Sequence, residues 1–350
     1  MTGNPLLKAG ILALMLTTIA VISWELYNRS KGFDISYDDG GPLWTNKRKM
    51  LNEPPANTTV FVGSSRIKFD LDAELWQKLT GTKAVQLSCV GSTPLPIFLD
   101  VAADEKFKGR MVVDVTEVLF FSDAPPNRMT PDENLKYFKE ETPAQKAGFY
   151  VNEFLESNFV FLDKDRLSLN AKLAKLRIPN RPGVFEFPLF PDGFGRSKFT
   201  RQEYMTPQFL TDTNQINQVR GIWGFLAEMG KRQPPTAGAK LDSMLLVIKT
   251  AVDKIRARGG DVLFVRTPST GPFWMGENMA YPREKYFDRL LQFTNSKGIH
   301  FLDYEATKNL PCPDFSHLSM ADASLYTKEL VRIMQAEKGW QFLKTTSAAN

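Results

Sequence analysis

Short apolar runs alternate along the chain with longer segments in which apolar positions recur every three or four residues. The runs are typical of buried β-strands and the longer segments of amphipathic helices. The predicted strands are Val60–Val62, Val85–Leu87, Met111–Val115, Val262–Val265 and Ile299–Leu302. The clearest helical patterns are Asp72–Leu79, Leu241–Arg258 and Arg283–Ser296. Strands that alternate with helices predict an α/β fold, with a parallel sheet covered by helices on both faces.

The N-terminal segment has a different pattern, because it is apolar on every side. An uncharged run extends from Ala9 to Trp24, and flanking leucines bring it to the ~20 residues that cross a bilayer. We therefore predict that residues 1–28 form a membrane anchor. A cleaved signal peptide is the alternative, with a tolerable cleavage site at Val21-Ile22-Ser23. Either interpretation exports the rest of the chain, although basic residues on both sides of the run leave little orientation signal.

Turn-forming residues and breaks in the α/β rhythm predict the remaining boundaries. Residues 29–56 are interpreted as an extended stalk, since they contain Asp38-Asp39-Gly40-Gly41-Pro42. The α/β domain is predicted over 57–340, with a short tail over 341–350. Within it, residues 122–238 are rich in Phe and Pro and interrupt the alternation, which favours an insertion that forms a lid or a partner surface.

Composition narrows the class of function. The chain has 350 residues and a formal net charge of +5, without a dense basic stripe, so a nucleic-acid partner is not indicated. The two histidines and two cysteines lack the spacing of metal ligands. We therefore expect neither a metal nor another cofactor.

Two short segments carry candidate chemistry. Gly63-Ser64-Ser65-Arg66 follows the first predicted strand, and Asp314 and His317 lie three residues apart near the C-terminus. A serine becomes a strong nucleophile when an imidazole accepts its proton, and a carboxylate fixes that imidazole. Ser65, His317 and Asp314 supply this set. His300 lies inside a predicted strand and is interpreted as a core histidine.

These segments resemble the SGNH (GDSL-like) hydrolase superfamily. The resemblance covers roughly residues 57–120 and 240–335. The resemblance implies a flavodoxin-like three-layer α/β/α fold with Ser65 as the nucleophile, and Ser64 in place of the family aspartate. Gly91 matches the glycine whose N–H joins that of the serine in the oxyanion hole. The family's asparagine donor has no clear counterpart; Thr116 stands in the corresponding place.

The Gly-Ser-Ser-Arg variant, together with Val265-Arg266-Thr267-Pro268, is most similar to a membrane-anchored branch of that superfamily. The branch includes alginate O-acetylation proteins and the D-alanine transfer proteins of teichoic acid. It implies an extracytoplasmic O-acyltransferase that forms an acyl-Ser65 intermediate and modifies a cell-surface or exported glycan. A multi-pass membrane acyltransferase would be the acyl donor. Two alternatives stay open: an esterase with the same triad, and a catalytically weak glycan-binding or assembly protein.

Four further residues each have two alternative interpretations. Arg66 and Arg266 are candidates for substrate binding, against a local ion pair of Arg66 with Asp70 or Asp72 and a buried ion pair of Arg266. Convergence of the family's motifs would also bring Cys89 and Cys312 together. A disulfide between them is therefore the hypothesis, and two unpaired buried cysteines are the alternative.

Overall fold

The computed structural model describes residues 4–52, 54, 58–176, 183–184, 187–230 and 234–342. The chain divides into two compact units. The first unit comprises Met1–Asp38 and Thr142–Glu186, and the second comprises Asp39–Glu141 and Phe187–Asn350. The insertion predicted over 122–238 is thus shared between the two units. From residue 343 onward, the predicted tail lies outside the described residues, as do 53 and 55–57 at the end of the predicted stalk.

Seven strands and seventeen α-helices are found in the described part of the chain. The strands are β1 (Thr58–Val62), β2 (Lys83–Gln86), β3 (Arg110–Asp114), β4 (Arg196–Ser197), β5 (Glu203–Tyr204), β6 (Asp261–Arg266) and β7 (Lys297–His300). The helices are α1 (Pro5–Ser30), α2 (Gly41–Lys49), α3 (Ser65–Asp70), α4 (Ala73–Thr80), α5 (Leu95–Ala103), α6 (Glu117–Phe120), α7 (Met129–Glu140), α8 (Pro143–Glu156), α9 (Lys164–Leu167), α10 (Leu169–Ala174), α11 (Pro207–Thr211), α12 (Thr213–Gly230), α13 (Gly238–Ala257), α14 (Gly271–Ala280), α15 (Phe287–Thr294), α16 (Glu305–Lys308) and α17 (Met320–Ala336).

Five of the strands form one parallel sheet in the second unit, in the order β2-β1-β3-β6-β7. Val60 of β1 is in register with Val85 of β2 on one side and with Met111 of β3 on the other. The predicted α/β class and parallel sheet are confirmed, and each predicted strand overlaps an observed one. β4 and β5 pair separately as a short antiparallel ribbon.

Alternate residues of the central strands enter two hydrophobic cores, one on each face of the sheet. Val60 and Val62 belong to the first core, which also contains side chains of α5, α13 and α15. Phe61 belongs to the second core, with side chains of α4 and α17. Both faces are therefore covered by helices, which explains why the strands read as continuous apolar runs.

Capping side chains fix where two of the helices begin. Asp72 accepts a hydrogen bond from the N–H of Leu75 at 2.9 Å and starts α4. Ser319 accepts from the N–H of Asp322 at 3.2 Å and starts α17. An N-cap of this kind satisfies a backbone donor that the helix itself leaves unpaired.

Residues 41–49 differ from the prediction of an extended stalk, because they form helix α2 in the second unit. Trp44 is fully buried there, and its indole N–H donates to the carbonyl of Leu87 at 2.9 Å. The helix is stabilised by this contact with the loop after β2, which local turn signals do not reveal.

The first unit joins α1 to helices α8, α9 and α10. Helix α1 is long and apolar enough to cross a membrane, and its apolar window is not buried by the protein. Length and composition fit a membrane anchor and equally a signal sequence. The carboxylate of Glu25, near the end of α1, accepts the backbone N–H groups of Val160 and Phe161 at 3.1 and 3.2 Å.

Candidate active site

Ser65 is brought to the surface by a tight turn at the end of β1. Residues 58–70 are all buried except Ser65, which is partly exposed. A Cβ at Gly63 would lie only 2.5 Å from Cβ of Asp114, so the turn passes too close to β3 for any larger residue. The sequence thus places a single accessible hydroxyl at the carboxyl edge of the sheet, where parallel α/β folds hold their sites.

The three residues expected to form a triad are joined by hydrogen bonds. Ser65 Oγ lies 2.9 Å from His317 Nε2, and His317 Nδ1 lies 2.7 Å from Asp314 Oδ2. His317 and Asp314 are almost fully buried. This is the order of contacts in which an imidazole removes a proton from a serine while a carboxylate holds its tautomer and orientation.

The three-residue spacing of Asp314 and His317 has a local cause. Asp314 Oδ1 accepts the backbone N–H groups of Ser316 and His317 at 3.1 and 2.8 Å, which closes the turn on the carboxylate itself. Phe315 has a φ of 75° there. Burial raises the pKa of Asp314, but the His317 ring and these N–H groups outweigh it, so the pKa of Asp314 is below its ordinary value.

Two links fasten helix α3, which carries Ser65, to the turn that carries His317. Nε of Arg66 donates to Ser316 Oγ at 3.2 Å, and Asp70 Oδ1 accepts the N–H of Leu318 at 2.9 Å. Burial raises the pKa of Asp70 well above its ordinary value. The contact between Ser65 and His317 is therefore braced on both sides by neighbouring residues of the same two segments.

Helix α12, inside the predicted insertion, supplies further contacts that the sequence does not reveal. The indole N–H of Trp223 donates to Asp314 Oδ2 at 3.1 Å. The guanidinium of Arg220 donates to the carbonyl of Pro313 at 2.9 and 2.6 Å, and lies 4.2 Å from the centre of the Phe315 ring. No motif marks these residues, since both contacts are formed across about 90 residues of chain.

Aromatic rings surround the imidazole of His317. Phe69 lies 4.4 Å away between ring centres, and Phe194 and Trp223 each lie 5.7 Å away. These rings fix the imidazole plane and leave little room for water around it. The Phe-rich composition of residues 122–238 does not by itself place Phe194 beside the imidazole, and Phe69 lies outside that segment.

The candidate oxyanion donors lie on two turns held side by side. Gly91 is exposed after β2 with a φ of 61°, a conformation that favours glycine. The N–H of Cys89 donates to the carbonyl of Gly63 at 3.2 Å, which joins the turn after β2 to the turn before Ser65. The backbone N–H groups of Ser65 and Gly91 thus belong to adjoining turns at the same edge of the sheet.

Thr116 is engaged elsewhere. Its hydroxyl donates to Asp114 Oδ2 at 2.9 Å and lies 2.9 Å from Ser64 Oγ. Asp114, at the end of β3, therefore holds both hydroxyls in a buried cluster beneath the turn. The structure does not support Thr116 as an oxyanion donor, because its hydroxyl proton is already donated to Asp114.

Arg66 and Arg266 form buried ion pairs, which is the alternative to substrate binding. Arg266 contacts Glu117 at 2.8 Å and Glu277 at 2.7 Å. Arg66 pairs with Glu277 rather than with Asp70 or Asp72. Both arginines are at most 1% exposed, so neither guanidinium reaches a ligand at the surface. Burial opposes the charge of Glu277, but Arg66 and Arg266 hold the pKa of this carboxyl below its ordinary value.

A second buried charge cluster fixes the loop that carries Gly91. Arg201 donates to the carbonyls of Gln86 and Ser88 at 2.7 and 3.1 Å and pairs with Asp39. Lys68 of α3 pairs with the same aspartate. The loop after β2 and helix α3 therefore share one carboxylate.

The predicted disulfide is wrong, because Cys89 and Cys312 are both free. Cys89 packs in the first core and Cys312 in the second, on opposite faces of the sheet. Cys89 Sγ instead accepts a hydrogen bond from the side-chain amide of Asn134 at 3.3 Å. Both cysteines flank the site in sequence, yet the sheet separates their side chains.

His300 is a core histidine, as predicted. It is 1% exposed, and its Nδ1 accepts the N–H of Leu302 at 3.2 Å. Burial, with the positive charges of Arg266 and Arg283, lowers the pKa of His300 to about 3. It therefore stays neutral and belongs to the core of the sheet rather than to the site.

Within the described ranges, no group of three His, Cys, Asp or Glu side chains is placed to hold a metal ion. No protein-family model and no curated protein matches the chain. The interpretation of the site consequently depends on its own geometry.

Proposed function

We propose that the protein is a serine-dependent O-acyltransferase of the SGNH type, which carries an acyl group on Ser65. The observation that supports this most directly is the continuous chain of hydrogen bonds from Ser65 through His317 to Asp314. It ends at the one accessible side chain of a buried turn. A serine that served only the turn would need neither a buried imidazole nor a carboxylate behind it.

The proposed reaction has two acyl transfers. In the first, Ser65 Oγ attacks the acyl carbon of an ester donor while His317 Nε2 takes the hydroxyl proton. The backbone N–H groups of Ser65 and Gly91 stabilise the oxyanion of the tetrahedral intermediate. The donor's alcohol then leaves with the proton from His317. In the second, a glycan hydroxyl gives its proton to His317 and attacks the acyl carbon, and Ser65 Oγ leaves with that proton from His317.

The N-terminal helix supports an extracytoplasmic, membrane-anchored setting for this reaction. An anchor keeps the site beside a membrane, where a multi-pass acyltransferase can deliver acyl groups, and the glycan acceptor lies on the same side. The aromatic rings around His317 favour transfer over hydrolysis, since they restrict water at the base.

An esterase with the same triad is the second candidate. It is favoured by the partial exposure of Ser65, through which water could reach an acyl-enzyme. The two reactions share the first acyl transfer and differ only in the acceptor.

The test is labelling of the full-length protein in detergent with a fluorophosphonate, which reacts with activated serines. We expect wild type to be labelled, and both Ser65→Ala and His317→Ala to lose the label. Ser64→Ala is the matched control, because it removes the neighbouring hydroxyl while Ser65 and His317 remain.

Failure of a folded wild type to react would overturn the proposal and favour a non-catalytic glycan-binding or assembly protein. Once Ser65 is labelled, acyl-ester substrates with and without a sugar acceptor separate transfer from hydrolysis. A product that forms equally fast without the sugar would identify the esterase.

A further inference from the structure

Helix α8 of the first unit exposes its apolar face. Tyr150, Val151 and Phe154 are 54%, 57% and 67% exposed and lie on one face of the helix, since they are three or four residues apart. Ala147 lies on the same face and is also exposed. Large apolar side chains grouped in this way mark a surface that interacts with another protein or with a membrane.

The polar face of α8 is turned toward the rest of the first unit. Glu153 and Glu156 are only partly exposed, and Glu156 accepts the backbone N–H of Asp38 at 3.4 Å. Burial raises the pKa of Glu156. A surface helix of a water-soluble protein has the opposite arrangement, with its apolar side chains inward.

Helix α10 repeats the pattern. Leu169, Leu173 and the following Leu176 are 73%, 49% and 56% exposed and recur at spacings of four and three residues. Lys172, between them, is exposed as well. Two helices of one unit thus carry exposed apolar stripes, and Lys172 lies beside the stripe of α10.

The unit is tied to the end of the apolar helix α1. Glu25 accepts the N–H groups of Val160 and Phe161, and the guanidinium of Arg29 donates to the carbonyl of Asn158 at 2.9 Å. Residues 158–161 connect α8 to α9 and α10. When α1 crosses a bilayer, these contacts hold the segment at the level where the helix leaves the lipid.

We propose that α8 and α10 lie in the interfacial layer of the bilayer, with their apolar stripes among the lipid chains and Lys172 near anionic headgroups. The partner is the lipid surface itself, because Glu25 and Arg29 hold the segment between the two helices at the end of α1. This inference concerns attachment rather than catalysis, and it rests on the anchor role proposed for α1.

The experiment uses the full-length protein in vesicles of phosphatidylcholine and phosphatidylglycerol. Single cysteines at Val151→Cys and Leu173→Cys carry an environment-sensitive fluorophore, and Asn152→Cys on the polar side of α8 is the matched control. Leu14→Cys reports insertion of α1 separately. The protein without an added cysteine measures any background label at the buried Cys89 and Cys312. Spin-labelled lipid and aqueous iodide serve as quenchers.

We expect the labels at positions 151 and 173 to be quenched by the spin-labelled lipid and several-fold less by iodide than the label at 152. Equal iodide quenching at all three positions would place the stripes in water and overturn the inference. Protection from both quenchers would also overturn it, because the stripes would then be covered by protein. The label at 14 shows in each case whether the anchor itself has inserted.

Discussion

The indole N–H of Trp223 donates to the same oxygen of Asp314 that lies beside the imidazole of His317, at 3.1 Å. A single carboxylate oxygen therefore receives one hydrogen bond from the insertion and faces the proposed base. Because Trp223 contacts the carboxylate and the imidazole behind Ser65, we interpret it as a positioning residue. It fixes the rotamer of Asp314 and, with its ring, the plane of His317.

Replacing Trp223 by Phe should slow fluorophosphonate labelling of Ser65. The variant keeps a ring against His317 but loses a hydrogen bond to a charged acceptor, worth about 1.5 kcal/mol or about tenfold in rate. Trp274→Phe is the control, because Trp274 packs on His300 and Phe301 instead. Labelling at the wild-type rate in Trp223→Phe would show that Asp314 is held without this bond.

Arg266→Met should destabilise the protein rather than alter only its reaction. The side chain is fully buried between Glu117 and Glu277, and its loss leaves the buried Glu117 carboxylate without its ion-pair partner and Glu277 with Arg66 alone. We expect a loss of about 3–5 kcal/mol in the free energy of unfolding, measured by denaturant in detergent. The proposed role in substrate binding would regain support if the variant kept wild-type stability but lost transfer.

A surface arginine provides the comparison for that measurement. Arg332 is 53% exposed and pairs with Glu329. Because solvent screens such a pair, Arg332→Met should change the free energy of unfolding by less than about 1 kcal/mol. A similar loss of unfolding free energy in Arg266→Met and Arg332→Met would mean that burial of the arginine does not determine the loss.

The neutral state of His300 predicts a loss of stability in weak acid. Its pKa is lowered to about 3 in the folded protein, against an ordinary value of 6.5. As the pH falls below 6.5, only the unfolded state takes up a proton at this residue, so folding stability decreases until the pH reaches the folded pKa. The contribution is about 1 kcal/mol between about pH 7 and about pH 5.5.

The comparison of wild type with His300→Gln isolates this effect, because His317 is present in both proteins. Denaturant unfolding at several pH values should give a smaller slope of stability against pH in the variant. Equal slopes of stability against pH in the two proteins would contradict a buried neutral His300.

The two cysteines should behave as separate buried thiols. Burial raises the pKa of both, which disfavours the reactive thiolate. We expect slow reaction with a thiol reagent in the native protein, full reaction of both after unfolding, and no cross-link in non-reducing peptide mapping. A linked Cys89–Cys312 peptide would contradict the arrangement on opposite faces of the sheet.

The sheet was predictable because its central strands are buried on both faces, which leaves a continuous apolar run in the sequence. Ser65, Asp314 and His317 were predictable for a related reason. A nucleophile, base and carboxylate are recognisable residue types, and they follow segments that a parallel sheet brings to one edge. The contact between Ser65 and His317 spans 252 residues, yet no detail of packing was needed to expect it.

Other contacts have no local signal. Glu277 lies 211 residues from Arg66, and Trp223 lies 91 residues from Asp314, within segments that carry no recognised motif. Helix α2 was not predicted, because misleading local signals lie next to it. The turn-forming residues before it are strong local signals, whereas the contact that stabilises the helix joins Trp44 to the loop after β2. Tertiary packing determines both the long-range contacts at the site and the formation of helix α2.

The distance along the chain between Ser65 and His317 has a consequence for biosynthesis. The serine is synthesised 252 residues before the histidine that would activate it. A nascent chain therefore presents a hydroxyl of ordinary reactivity, since neither the base nor Trp223 has yet been made. The acylation proposed for Ser65 therefore has to await synthesis of the C-terminal segment that carries His317.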